Sequence, residues 1–138
     1  MSTPTILINL KRCTGCWTCS LACKQGNGLP DDVFWQHVRT LGSGRGIDRP
    51  GGVWPDMHMS WLPVHTPKCT LCAGRTAQGE QPYCVYNCSN EAMTYGDLDD
   101  AESDVSKKLV ELRGQGYEVF TLPEWEGGRS GILYAQKA

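Results

Sequence analysis

The sequence predicts an α+β fold in which short strands and helices surround two compact groups of cysteines. Three observations carry that prediction. Eight cysteines in 138 residues fall into two groups of four, at 13–23 and 69–88. Apolar, β-branched runs open the chain and recur after residue 90. Helical spacing is legible around Cys19–Cys23 and again from Ser103 onward.

Taken in order, Thr5-Ile-Leu-Ile-Asn-Leu10 reads as a strand leading into the first cysteine loop. Leu21 and Ala22 continue a short helix that ends near Gly26–Gly28. Residues 24–68 read as a long connection full of turn signals, including Gly42-Ser-Gly-Arg-Gly46 and Pro50-Gly-Gly52. The glycine cluster lacks the flanking strand and helix of a phosphate loop, so it is expected to be a turn. After Cys88 come a strand and turn at Ala92–Gly96 and the acidic stretch Asp97–Asp100. Ser103 is placed as an N-cap with Asp104 in the first turn, and Val105, Leu109 and Leu112 form one apolar face. Gly114 or Gly116 should stop that helix. Tyr117–Leu122 and Gly131–Ala135 read as two final strands around the Gly127-Gly128 turn.

Composition narrows the function. Forty per cent hydrophobic residues can fill a modest core, but 16 glycines and 8 prolines predict long turns, so something besides apolar burial should hold the fold. A formal charge of −2 provides no basic field for nucleic acid. No stretch approaches the length of a membrane span. Met1-Ser2-Thr3-Pro4 lacks the basic and apolar regions of a signal peptide. Eight cysteines without an export signal are expected to be thiolates for metal rather than a disulfide framework.

The two groups are Cys13-x₂-Cys16-x₂-Cys19-x₃-Cys23 and Cys69-x₂-Cys72-x₁₁-Cys84-x₃-Cys88. The first has the spacing of bacterial two-cluster ferredoxins, in which the fourth cysteine of each run ligates the other cluster. Two-residue gaps wrap a tight loop around one cubane and aim backbone N–H groups at its sulfurs. Cysteines four apart on a helix lie one turn apart on one face and can serve two adjacent cubanes. The expected division is therefore crossed. Cys13, Cys16, Cys19 and Cys88 hold one [4Fe–4S] cluster, and Cys69, Cys72, Cys84 and Cys23 hold the other. Zinc suits Cys69, Cys72, Cys84 and Cys88 acceptably but suits four cysteines within eleven residues much less well. A thioredoxin-like role for Cys69-x-x-Cys72 lacks the βαβ context and leaves six cysteines unexplained.

The remaining conspicuous residues have milder readings. Trp35, Trp54 and Trp61 with Met57 and Met59 are expected to keep water off the clusters, with a docking surface as the sharper alternative. Trp17 is read as a dielectric shield. His37, His58 and His65 have no ligand-like spacing and are expected to be structural or exposed. No catalytic constellation is apparent.

Beyond the cysteines, the chain resembles the iron–sulfur electron-transfer subunits of molybdopterin oxidoreductases, the dimethyl sulfoxide reductase and polysulfide reductase type. Lys11-Arg-Cys-Thr-Gly-Cys16, Asn27-Gly-Leu-Pro30, Val38-Arg-Thr40, Met59-Ser-Trp-Leu-Pro63 and Lys68-Cys-Thr-Leu-Cys72 carry the likeness. So do Gly96-Asp-Leu-Asp-Asp100, Ser103, Val105-Ser106, Pro123 and Leu133-Tyr134. Members typically have four cysteine groups, and this chain looks like the first and last joined. Those outer groups cross-ligate each other, so the shortened form is a self-consistent two-cluster unit. A second departure is the absence of the proline that ferredoxins place after the last cysteine of a run, since Lys24 and Ser89 stand there.

The resemblance implies a bacterial ferredoxin-like core over residues 1–98, with an insertion at 24–68, and an extension at 99–138 that packs on the core or clamps a partner. It implies a non-catalytic subunit relaying single electrons through two [4Fe–4S] clusters to or from a large molybdopterin-dependent catalytic subunit. A soluble donor or acceptor would stand on the other side. The expected location is the cytoplasm, or export as a passenger with a signal-bearing partner. A freestanding soluble ferredoxin is the alternative.

Overall fold

The computed structural model of the protein describes residues 3–41 and 50–137. Thirteen elements are assigned among them, and the mixed α+β class is observed.

The first strand, β1 (Pro4–Asn9), is central to a four-stranded sheet. It pairs antiparallel with β6 (Met93–Asp97), Ile6 facing Tyr95, and parallel with β8 (Ile132–Lys137), Ile6 beside Ile132. β7 (Tyr117–Phe120) closes the other edge against β8. Segment 99–138 thus provides two of the four strands.

Alternation of side chains along a strand then sends neighbouring residues to opposite faces. Leu7 and Ala135 pack with Val105, Leu109 and Leu112 of α4 (Asp104–Gly114), while Ile6, Ile8, Ile132 and Tyr134 face the opposite cluster, which contains Cys19 and Cys84. Both faces of β1 are covered, so its central residues are an unbroken apolar run. The α4 signals act as read from sequence. Ser103 Oγ accepts from the Ser106 N–H at 3.4 Å, Asp104 stands in the first turn, and Gly116 takes φ +88° just past the end.

Segment 24–68 has more regular structure than its turn signals suggest. β2 (Gln36–Thr40) pairs antiparallel with β5 (Trp61–His65), and β3 (Gly51–Val53) with β4 (Asp56–His58) forms a hairpin between them. Pro63 argues against a strand in the sequence, yet a two-stranded ladder leaves an edge where its missing N–H costs nothing. The Tyr134 hydroxyl donates to the Pro63 carbonyl at 2.6 Å, locking this ladder onto the main sheet. The Gly42–Gly46 cluster lies outside the described residues.

The tryptophans divide. Trp61 is half-buried, and its ring lies against Gly15 in the first cysteine loop. Trp35 is half-buried as well. Trp54, Met57 and Met59 are exposed, Trp54 at 80%. Trp54 and Met57 lie on the β3–β4 hairpin and Met59 just past it, all three open to solvent.

Leu112 is 2% exposed on the α4 face that meets the sheet, whereas Val110 on the same helix is 73% exposed. Leu112→Ala should cost about 2–5 kcal/mol, and Val110→Ala should stay within about 0.5 kcal/mol. Guanidinium unfolding followed by circular dichroism, at equal metal loading, checks both.

Candidate metal centre

The eight cysteines sit on four backbone features that follow from local sequence. Cys13 and Cys16 lie in a loop that turns through left-handed conformations at Gly15 (φ +70°) and Trp17 (φ +64°) and delivers the chain into α1 (Thr18–Asn27). A Cβ at Gly15 would stand 2.6 Å from the Trp61 ring, so only glycine permits both the turn and the close cover. Cys19 and Cys23 follow on α1, one turn apart and both buried. With Lys24 in place of a proline, α1 continues to Asn27 and ends on Gly28 in the left-handed cap expected there. The Lys24 ammonium donates to the carbonyls of Pro30, Asp31 and Val33, fastening the loop that follows.

The second group repeats the device. Leu71 (φ +56°) and Cys72 (φ +52°) turn the chain tightly between Cys69 and the short α2 (Ala73–Thr76). The turn aims the Leu71 N–H at Cys69 Sγ, 3.3 Å away. Cys84 lies on α3 (Tyr83–Asn87), while Cys88 is the residue immediately past that helix, in extended conformation. The second pair therefore spans the helix end instead of lying wholly on it. The Ala92 N–H reaches back to Cys88 Sγ at 3.4 Å.

α1 packs against α3, with Gly26 so close to the Tyr83 ring that a Cβ there would be 2.4 Å from it. This packing interleaves the two cysteine groups. Asn90, just past Cys88, donates to Thr14 Oγ1 at 2.8 Å, and Arg12 Nε donates to the Asn90 carbonyl at 2.9 Å, drawing Cys88 to the first loop. The electrostatic neighbours agree. Cys13 feels Cys88 and Cys16, and Cys19 feels Cys13, Cys88 and Cys16. Cys23 feels Cys69 and Cys72, and Cys84 feels Cys19 most strongly, then Cys69, Cys72 and Cys23. All eight are free thiols. Among the described residues, no three potential ligands converge on a single ion.

Burial dominates the thiol chemistry. It pushes Cys19 up to about 12 and Cys23 up to about 11, with neighbouring thiolates adding to the shift. Cys84 is raised well above the usual thiol range for the same reasons. Burial also raises Cys13 and Cys69, each opposed by a backbone N–H, from Gly15 and Leu71 respectively. Cys16 is the exception. It is exposed and lowered, chiefly by the Thr18 hydroxyl and then by the Thr18 N–H.

Three further residues approach these thiols without any signal in the sequence. His65 is buried on β5 with Nε2 3.6 Å from Cys84 Sγ. Arg129 donates to the Cys69 carbonyl. Asn27 Nδ2 lies 3.7 Å from Cys23 Sγ. His37 is half-buried and His58 exposed, as expected of structural histidines.

The metal-free chain should show this ordering directly. At pH 8, iodoacetamide should label Cys16 first and Cys19 and Cys84 last, because thiolate is the reactive form. Peptide mass spectrometry over time checks the order.

No protein-family model matches the chain. Among curated proteins, it is 35% identical over 104 residues to a protein of Halobacterium salinarum assigned as an iron–sulfur subunit of dimethyl sulfoxide reductase, a match covering 75% of this chain and 35% of that one. It is 36% identical over 70 residues to one of the chains of polysulfide reductase from Wolinella succinogenes, covering 44% and 37%. It is 33% identical over 88 residues to the arsenate respiratory reductase iron–sulfur subunit of a Shewanella species, covering 64% and 30%. The chain thus spans about a third of the length of these relatives. Eight free thiols in two groups, and relatives that are repeatedly iron–sulfur subunits, lead to one assignment: the protein belongs to the iron–sulfur subunits of the molybdopterin oxidoreductase family.

Proposed function

We propose that the protein holds two [4Fe–4S] clusters and relays single electrons to or from a large molybdopterin-dependent catalytic subunit. Cys13, Cys16, Cys19 and Cys88 would hold the first, and Cys23, Cys69, Cys72 and Cys84 the second. The crossed grouping of the thiols around the α1–α3 contact carries this reading.

The donor set fits the group. Eight thiols in two fours leave none spare, and clusters of this kind are held by four thiolates each. Thiolates gathered in one place repel each other, and a cationic metal core is what would relieve that repulsion. Backbone N–H groups from Leu71 and Ala92 already point at ligand sulfurs. When bound, each cubane supplies a one-electron couple.

The protein's own residues would do the rest. Trp61 covers the Gly15 loop against water, and Cys84 and Cys19, buried and adjacent, form the bridge between the two sites. Cys16 is exposed beside Trp17 and Leu21, which are also exposed, giving the first site an open edge for electron exchange with a partner. Residues 1–98 would form a ferredoxin-like core carrying the insertion 24–68, and 99–138 an extension that packs on it through β8. No helix among the described residues is long and apolar enough to cross a membrane. Substrate chemistry would belong to the partner, and a soluble redox protein would complete the path.

Anaerobic purification of the native protein tests the assembly. A stoichiometric large subunit is expected, and a stable solitary monomer would overturn the subunit reading. The reconstituted protein should bind about eight irons, four per cubane. Cys23→Ala should damage the cluster otherwise held by Cys69, Cys72 and Cys84. Loss of the Cys13/Cys16/Cys19 signal alone in electron paramagnetic resonance would refute the crossed ligation.

A further inference from the structure

The β2–β5 ladder holds a buried polar pair that neither packing nor the cysteine pattern explains. Gln36 and His65 are directly opposed in its register, and each is 1% exposed. Directly opposed residues share a face of the ladder, with Cβ atoms about 4.5–5.5 Å apart. Among the described residues, Gln36 Nε2, Gln36 Oε1 and His65 Nδ1 are buried side-chain atoms without a hydrogen-bond partner. Buried polar groups of native proteins are almost always paired, so three orphans in one place call for a reason.

The other ring nitrogen provides one. His65 Nε2 is 3.6 Å from Cys84 Sγ. A cysteine sulfur that ligates metal is an acceptor with no proton of its own, so the nitrogen facing it must carry the hydrogen. A neutral ring then leaves Nδ1 as an acceptor, and the amide nitrogen of Gln36 is an unused donor on the opposing strand. The ladder itself is anchored to the cysteine helix, since Ser20 Oγ, next to Cys19, donates to the Gln36 carbonyl at 2.7 Å.

We propose that His65, its tautomer set by Gln36, is a positioning residue that fixes an N–H on Cys84 Sγ and raises the reduction potential of the cluster held with Cys23, Cys69 and Cys72. The inference rests on the ligand assignment proposed above. A hydrogen bond to a ligand sulfur favours the more negative, reduced state, so losing it makes reduction harder.

Redox titration of the anaerobically reconstituted protein, followed by electron paramagnetic resonance, tests it. Cys23→Ala identifies which signal belongs to the second cluster. In His65→Leu with full iron content, the reduced-to-oxidised ratio of that cluster at fixed ambient potential should fall about tenfold, a shift of about 59 mV for a one-electron couple. The first cluster should be unmoved, and His65→Gln, which keeps an N–H donor, should recover part of the shift. Equal potentials in wild type and a fully loaded His65→Leu would overturn the proposal. If His65→Leu does not load, wild-type protein with ¹⁵N-labelled histidine decides. A histidine nitrogen coupled to the reduced second cluster in pulsed resonance supports the bond, and no coupling overturns it. Wild-type protein lacking a second cluster signal would overturn the ligand assignment itself, and this inference with it.

Discussion

Close packing of α1 on α3 is the constraint on which the rest of the structure depends. Each helix carries or adjoins thiols from one cysteine group, and their contact brings Cys88 near Cys13 and Cys23 near Cys69 and Cys72. The approach is possible because Gly26 offers no side chain to the Tyr83 ring. Around that contact the fold is built as a clamp. The main sheet supports one side through Ile6, Ile8, Ile132 and Tyr134, and the β2–β5 ladder supports another through the Ser20–Gln36 and Tyr134–Pro63 hydrogen bonds.

The same clamp creates an electrostatic problem that the apolar core cannot solve. Thiols are gathered where burial and mutual repulsion both disfavour their ionised form, as the upward shifts at Cys19, Cys23 and Cys84 record. A metal core would turn that liability into cohesion, since binding free energy at a site absent from the unfolded state is folding free energy. This accounts for a protein with so many glycines and prolines and a modest apolar core.

Most of what the sequence makes legible is local. The cysteine spacings fix the ligand loops, Ser103 and Gly116 bound α4, and the i, i+4, i+7 pattern of Val105, Leu109 and Leu112 predicts the face that is buried. The ladder within 24–68 was not legible, because its strands are five residues long, one contains a proline, and they pair across more than twenty residues. His65 was hidden for a related reason. Its neighbourhood with Cys84 and Gln36 exists only once that ladder has formed and packed on α3, and a lone histidine carries no spacing to betray it. The exposure of Trp54, Met57 and Met59 likewise depends on where a hairpin projects, which composition does not encode.

The position of β1 has a consequence for how the protein is made. Its two partners in the sheet begin at Met93 and Ile132, so β1 waits for neighbours translated long after it. Contacts so distant in sequence are slow to form, because the loop-closing entropy is lost before the contacts compensate it. Until β8 emerges, Ile6 and Ile8 have no completed sheet to bury them, and the first cysteine loop hangs from an unpaired edge. The nascent polypeptide therefore exposes sticky backbone and reactive sulfur together, which makes the interval before β8 docks the stage at which oxidation and aggregation compete with maturation.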